Sequence, residues 1–330
     1  MDKNNKNTIT LAVCGIFILI AGLFLGISQG ATHIGIKEIW DSIFHYSDKL
    51  ELVLIRDVRI PRVLCVLFTG GVLGVTGAMI QGVTRNPIAE PSLLGVSQGA
   101  TLMVAVFYAA GISVHTANAM LASLIGAIFS GMVVLVFILK KSGQGSVARI
   151  LLGGTAMGTF FLSLTTVTGL LSNKSQFIAF WVGGGFRNAA WTDFILIALV
   201  GTAGLFTAIL LSGKINLLSL GDDVAVGLGE NPERIRLITV LVMIPMCAAA
   251  VAVGKNIGFV GLIIPQIVRK ITGEDYRKNI PVSFLLGAVL LTYSDIGARL
   301  VIAPYEIPIG IFTSLIGVPF FIAAARKEKS

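Results

Sequence analysis

The sequence predicts an all-α membrane protein that crosses the bilayer ten times, and three observations carry that prediction. Of 330 residues, 55% are apolar and only 13% charged, about half the charged share of a soluble domain. Mean hydropathy is +0.89. The apolar stretches are also continuous and lack the period-two alternation of a membrane strand, so each must satisfy its backbone hydrogen bonds within a helix. A span with its loop takes roughly 30 residues, which fits about ten crossings into this length.

The first span, residues 9–27, follows Lys3 and Lys6. It is too long for a secretory signal and no small-residue cleavage site stands before Gln29, so it is expected to remain as a helix. Charge-free runs at 63–84, 91–139, 150–173, 194–213, 237–254, 256–268, 279–294 and 307–325 supply the others. The run 91–139 is too long for one crossing and is divided by the polar, glycine-containing residues 111–118. The run 256–268 holds Gly258, Gly261 and Pro265 and spans only if Arg269 and Lys270 snorkel.

With the N-terminus in the cytoplasm, inside segments hold sixteen of the 25 Lys and Arg residues, which favours cytoplasmic termini and a multi-pass protein of the cell membrane. Helices two to five then start outside and helices seven to ten inside, the arrangement of inverted-repeat halves. The third helix, behind Asn86-Pro87 and Glu90-Pro91, and the eighth are interrupted at corresponding positions. A pathway and buried glycine packing both account for that.

No GxxxxGK[ST] or HExxH pattern occurs, so the sequence offers no phosphate cradle or zinc-hydrolase site, and no enzyme is expected. Cys14, Cys65 and Cys247 lie in or beside apolar runs and read as small core residues. His33, His45 and His115 are spaced unsuitably for one metal site, so neither metal nor cofactor is expected. The net charge of +8 is scattered between apolar runs, which argues against nucleic-acid binding. Ionisable groups at mid-span are few, which argues against ion coupling and for an external energy source. Asp295 and Arg299 lie four residues apart on one helix face, suited to a structural pair. The segment 214–236, KINLLSLGDDVAVGLGENPERIR, reads as two short helices on the membrane surface, and its Val224, Ala225, Val226 and Leu228 call for a soluble partner to cover them.

Several ordered motifs resemble one family. They are RIPR at 59–62, QGVTRNPIAEPSLLGVSQGA at 81–100, LSLGDDVAVGLG at 218–229, IGFVGLIIPQIVR at 257–269, GEDYRKNIP at 273–281 and EIPIGIFTSLIGVPFF at 306–321. The chain thereby resembles the FecCD-type permeases of ATP-binding-cassette (ABC) importers for iron siderophores, haem and vitamin B12. The resemblance implies a type II ABC importer permease fold as one domain over 1–330. It also implies a second permease copy, identical or related, two cytoplasmic ATPase subunits and an external substrate-binding protein. A ferric siderophore is the favoured cargo, with haem and vitamin B12 as alternatives and an ion-coupled secondary transporter as the competing class. By the same resemblance, Arg59, Arg62 and Arg299 dock the binding protein, where the guanidinium fork suits carboxylates. Segment 214–236 couples to the ATPase through Gly221, Val224, Ala225, Gly227, Leu228 and Gly229, the glycines permitting tight turns and close approach. Asn86, Pro87 and Ile88 form a cytoplasmic gate, and Gly154, Thr155 and Gly158 line the pathway, although close helix packing explains those glycines equally well. The chain departs from the family's common pattern at Gln266 and Tyr276, where relatives often carry His.

Overall fold

The computed structural model of the chain describes residues 3–29, 34–44, 49–113, 116–139 and 146–327; His33, His45 and His115 lie outside them. All regular structure among the described residues is helical. The order is α1 (Lys3–Ser28), α2 (Ile36–Phe44), α3 (Leu50–Leu54), a π-helical turn (Ile55–Arg59) leading without a break into α4 (Ile60–Thr84), a 3-10 turn (Pro91–Leu94), α5 (Val96–Ala109), α6 (Thr116–Leu139) and α7 (Ser146–Leu171). There follow α8 (Ser175–Val182), α9 (Trp191–Ser219), α10 (Asp222–Gly227), α11 (Pro232–Gly254), α12 (Val260–Thr272), α13 (Tyr276–Leu300) and α14 (Ile309–Lys327). Six stretches among the described residues are long and apolar enough to cross a membrane: Asn5–Ser28, Leu50–Thr84, Leu152–Leu171, Trp191–Ser219, Pro232–Gly254 and Tyr276–Leu300. Val96–Ala109, Ala117–Val133 and Ile309–Phe320 are shorter apolar helices.

Local chemistry sets the helix starts. Asn231 accepts a hydrogen bond from Arg234 N–H at 3.1 Å, and Pro232 then opens α11 with its φ already helical. Asp275 caps α13 by accepting from Arg277 N–H at 3.0 Å. Asp193, inside the first turn of α9, reaches back to Ala190 N–H at 2.9 Å.

The core is built around α4, whose face is buried by α9, α11, α12 and α13. Val72, Met79, Met243, Met246 and Ile263 are fully shielded there. Against α13 the approach is backbone to backbone: a Cβ at Gly70 would overlap the Gly287 carbonyl, and one at Gly287 would overlap that of Gly70. Only glycine allows two helix axes this close. By contrast α1, α7 and α9 leave large apolar side chains such as Phe17, Leu171 and Leu199 exposed, as helices do when lipid or another chain is to cover them.

The connections depart from expectation in two places. Segment 214–236 holds one short helix and not two, because α9 runs on to Ser219 with Ile215 and Leu218 fully buried on its continuing inner face. Segments between the expected spans also carry short helices, α2, α3 and α8; Ile34, Ile39, Leu52 and Ile55 form a small core of their own with Ile27 and Ile60.

Candidate functional site

Two clusters of polar groups lie at opposite ends of α4. The helix has 25 residues, roughly 37 Å, with Arg62 in its first turn and Arg85 just past its last.

At the Arg85 end the chain leaves α4 in a left-handed conformation, Arg85 φ 51°, and runs without helix through 86–90. Asn86 starts the run with its side chain, Oδ1 accepting from Ile88 N–H at 3.0 Å, a short polar side chain mimicking a backbone turn. The Pro87 carbonyl accepts from Gln266 Nε2 at 2.5 Å. The Ala89 carbonyl accepts from Gln81 Nε2 at 3.4 Å, and the same nitrogen reaches the Gly261 and Leu262 carbonyls at 3.2 and 3.1 Å. Glu90 accepts the Phe259 N–H at 2.6 Å, directly before α12 begins, where the helix dipole favours a carboxylate. Residue 87 thus pairs with 266 and residue 90 with 259. Residues 86–89 form a turn closed by the Ala89 N–H on the Asn86 carbonyl at 3.1 Å, and the two contacts to α12 run in opposite chain directions, so segment 87–90 lies antiparallel beside α12. Pro87 and Pro91 cannot supply helical N–H groups, which keeps the segment open.

The same end carries α10. Gly221 precedes it at φ 131°, a conformation closed to side-chain-bearing residues, and Gly229 follows at φ 82°. Asp222, its first residue, accepts from Arg236 Nη2 at 2.7 Å and Arg85 Nη2 at 3.1 Å, both on Oδ1. Arg236 also donates from Nε to the Val83 carbonyl at 3.2 Å. Val224, Val226 and Leu228 are 43, 62 and 62% exposed. Ala225 is fully buried and points into the chain instead. Gly227 is helical with nothing of this chain within 4 Å of where a Cβ would stand, so neither a turn nor a close approach among the described residues requires it.

At the Arg62 end, Arg59, Arg62 and Arg299 come together, each only 8% exposed. Arg62 holds Asp295 at 2.9 Å and Glu306 at 2.7 Å. Arg299 holds the other oxygen of Asp295 at 3.1 Å and donates to the Gly26 carbonyl at 3.0 Å, while its buried Nη2 has no hydrogen-bond partner among the described residues. Arg59 donates to the Ile27 and Ser28 carbonyls at 2.7 and 3.0 Å, fastening the end of α1. A cavity of about 280 Å³ opens beside this cluster, lined by Arg62, Arg187 and Lys255 against Asp193, Asp295 and Glu306, with Trp181 and Phe186 as its apolar wall. Lys255, in the connection after α11, stands 5.5 Å over the Trp181 ring. Burial, and then the charges of Arg62 and Arg187, hold its ammonium below the ordinary lysine range against the opposite pull of Glu306 and Asp193.

A larger groove of about 960 Å³ lies on the face formed by Glu90, Ser92 and Gln98, by Asn256 and Phe259 ahead of α12, and by Ile311, Ser314 and Leu315 of α14. Gly154 and Gly158 do not line it: they pack against Gly95 and Gln98, and Thr155 faces outward, exposed. Tyr276 is buried at the start of α13, paired with Arg269.

The motifs led to Asn86, Pro87, Ile88 and Gly221, but not to the side chains holding them: Gln81, Glu90, Asp222 and Arg236. Glu90 had a signal of its own, since no other charged residue occurs between Arg85 and Lys140.

The FecCD transport family matches residues 18–327. The chain is similar to the iron(3+)-hydroxamate import system permease protein FhuB of Bacillus subtilis, 39% identical over 97% of this chain and 84% of the other. It is also similar to the Fe(3+)-citrate import system permease protein YfmD of the same organism, 35% identical over 99% and 98%. Among solved structures, an inward-facing conformation of a metal-chelate type ABC transporter superposes with a TM-score of 0.84, covering 96% of this chain and 99% of that one at 25% identity.

Proposed function

This chain belongs to the FecCD transport family, and from that premise we propose that it is the membrane permease of an ABC importer that brings a ferric siderophore into the cell. It is not itself an enzyme: hydrolysis falls to two cytoplasmic ATPase subunits, and an external binding protein delivers the chelate. The carrying observation is α10, which ties its first residue into the helix core through two ion pairs while presenting Val224, Val226 and Leu228 outward. An apolar, anchored tip of that kind suits a groove in a soluble partner.

Residues 1–330 act as one permease domain with cytoplasmic termini. Ten crossings are reached by adding α5, α6, α12 and α14 to the six long apolar spans. An inverted repeat is supported by α5 and α12. Each is a short helix of 14 or 13 residues entered through a non-helical segment, 85–90 for one and 255–259 for the other, and the two segments meet at Glu90 and Phe259. Broken helices that meet in this way suit a pathway. Asn86, Pro87 and Ile88 serve as the inner gate, held in position by Gln266 and, through Ala89, by Gln81, and the chelate passes between two permease copies along the groove of α14 and the α5 approach. Arg59, Arg62 and Arg299 guide the binding protein: they gather at one end of α4, and Arg299 has a spare donor among the described residues. The hydroxamate and citrate relatives favour a ferric chelate over haem or vitamin B12.

Proteoliposomes containing this chain, its ATPase subunits and its binding protein are expected to import a radiolabelled ferric tris-hydroxamate only with ATP inside. Val226→Asp with Leu228→Asp is expected to abolish both ATPase copurification and import. Uptake by the chain alone, collapsed by ionophores, overturns the reading in favour of ion-coupled transport.

A further inference from the structure

Resting on the importer reading, we propose that Asp222 is the positioning residue through which α10 grips and releases the gate segment 85–90. A single oxygen, Asp222 Oδ1, receives two guanidinium groups that belong to different parts of the machine. One is Arg236 of α11, at 2.7 Å, its side chain only 6% exposed. The other is Arg85, at 3.1 Å, its side chain 44% exposed.

The two arms differ in strength. Arg236 is buried and also donates to the Val83 carbonyl, one of the acceptors that a helix end leaves without a partner. Separating a buried arginine from its carboxylate is costly. That arm therefore keeps Asp222 in register with α11 and the end of α4. The Arg85 arm is half in water, where an ion pair is weak and easily broken and remade. Arg85 is also the last residue before Asn86-Pro87, and its left-handed backbone already marks the place where α4 gives way to a turn.

Beyond Arg85 the segment has no helix of its own. Its remaining holds are hydrogen bonds from Gln266 to Pro87, from Gln81 to Ala89 and from Phe259 to Glu90, of which the first and last belong to α12 and its approach. The segment is thus suspended between α10 at one end and α12 at the other. A push on the exposed tip of α10 arrives at Asp222, where the strong arm holds and the weak arm yields. In one state Arg85 is gripped and the segment is drawn toward α10; in the other it is released toward α12. Gly221 lets this happen, because its φ of 131° turns the chain from α9 into α10 within one residue, beside the Arg85 side chain.

The test uses the complete transporter in proteoliposomes, measuring ferric tris-hydroxamate import and phosphate release together. Asp222→Asn and Arg85→Gln are each expected to lower chelate imported per ATP hydrolysed about tenfold, in the usual range of inter-site coupling. The double variant should fall no further than Asp222→Asn alone, because that variant already removes the Arg85 link. Asp222→Glu should restore most of the ratio. If Asp222→Asn does not assemble, Arg85→Gln, at a half-exposed side chain, carries the test alone. An unchanged ratio in the single variants overturns the proposal, as does a double variant whose loss is the product of the two; a merely structural role lowers import and hydrolysis together and leaves the ratio unmoved. Absence of ATP-driven import in the unmutated complex is a separate result, and it overturns the importer reading itself.

Discussion

Asp295 serves two arginines at once, Arg62 reaching both of its oxygens and Arg299 sharing one of them. All three side chains are buried, so removing the carboxylate's charge strands two guanidinium groups where water cannot replace it. Asp295→Asn is expected to cost about 3 kcal/mol. Glu306→Gln, at a carboxylate that still touches solvent, should cost only about 1 kcal/mol. Thermal unfolding in detergent micelles separates the two; equal melting temperatures contradict the shared-carboxylate account. Lys255 gives a pH signature at the same end. Its folded pKa is lowered, so between that value and the ordinary lysine value the unfolded chain holds more protons, and stability rises with pH. Below both values the protein bears the full cost of a buried ammonium. The melting temperature of the native protein should therefore climb relative to Lys255→Met as the solution is made alkaline toward the ordinary lysine pKa, and a constant difference across that window refutes the assignment.

At the scale of elements, the decisive contact is that of α12 with the segment 85–90. Gln266 closes on the Pro87 carbonyl with a side-chain amide, a bond worth about 1 kcal/mol net. Gln266→Ala is expected to loosen the segment, so that a cysteine placed by Ile88→Cys reacts faster with a membrane-impermeant thiol reagent from the cytoplasmic side. An unchanged labelling rate means that the gate is held elsewhere. The long helices, and the breaks ahead of α5 and α12, were legible in the sequence because charge-free length, proline and glycine act locally. The arginine cluster was legible only in part. RIPR marks Arg59 and Arg62 as fixed cations, but the inward turn of Arg62 depends on Asp295 and Glu306, more than 200 residues away, and that of Arg59 on the carbonyls of Ile27 and Ser28. Asp222 was hidden for the same reason: its partners Arg85 and Arg236 meet only after α4 and α11 have packed. The second surface helix expected in 214–236 failed because Ile215 and Leu218 continue the buried face of α9, and an apolar pair reads alike whether it faces a partner or its own core.

Across the whole molecule, some exposed apolar side chains line the groove and others do not. Phe17 of α1 and Leu199 of α9 stand away from the groove, whereas Leu315 lines it on α14. If the chelate passes between copies along that groove, the second copy faces α14. A photo-reactive amino acid at position 315 should then yield a covalent permease dimer on gels, while one at 17 or 199 should label lipid alone; dimers from all three positions equally would contradict the placement. The contact of Gly70 with Gly287 bears on how such an assembly can move. Two helices in backbone contact have no side-chain cushion in which to slide, so α4 and α13 form a single beam. One end of that beam bears Arg62 and the other runs into Arg85, so in the proposed importer both mouths are mounted on the same inflexible part. Opening one mouth while the other closes then falls to the surrounding helices, swinging about the beam as about a fulcrum.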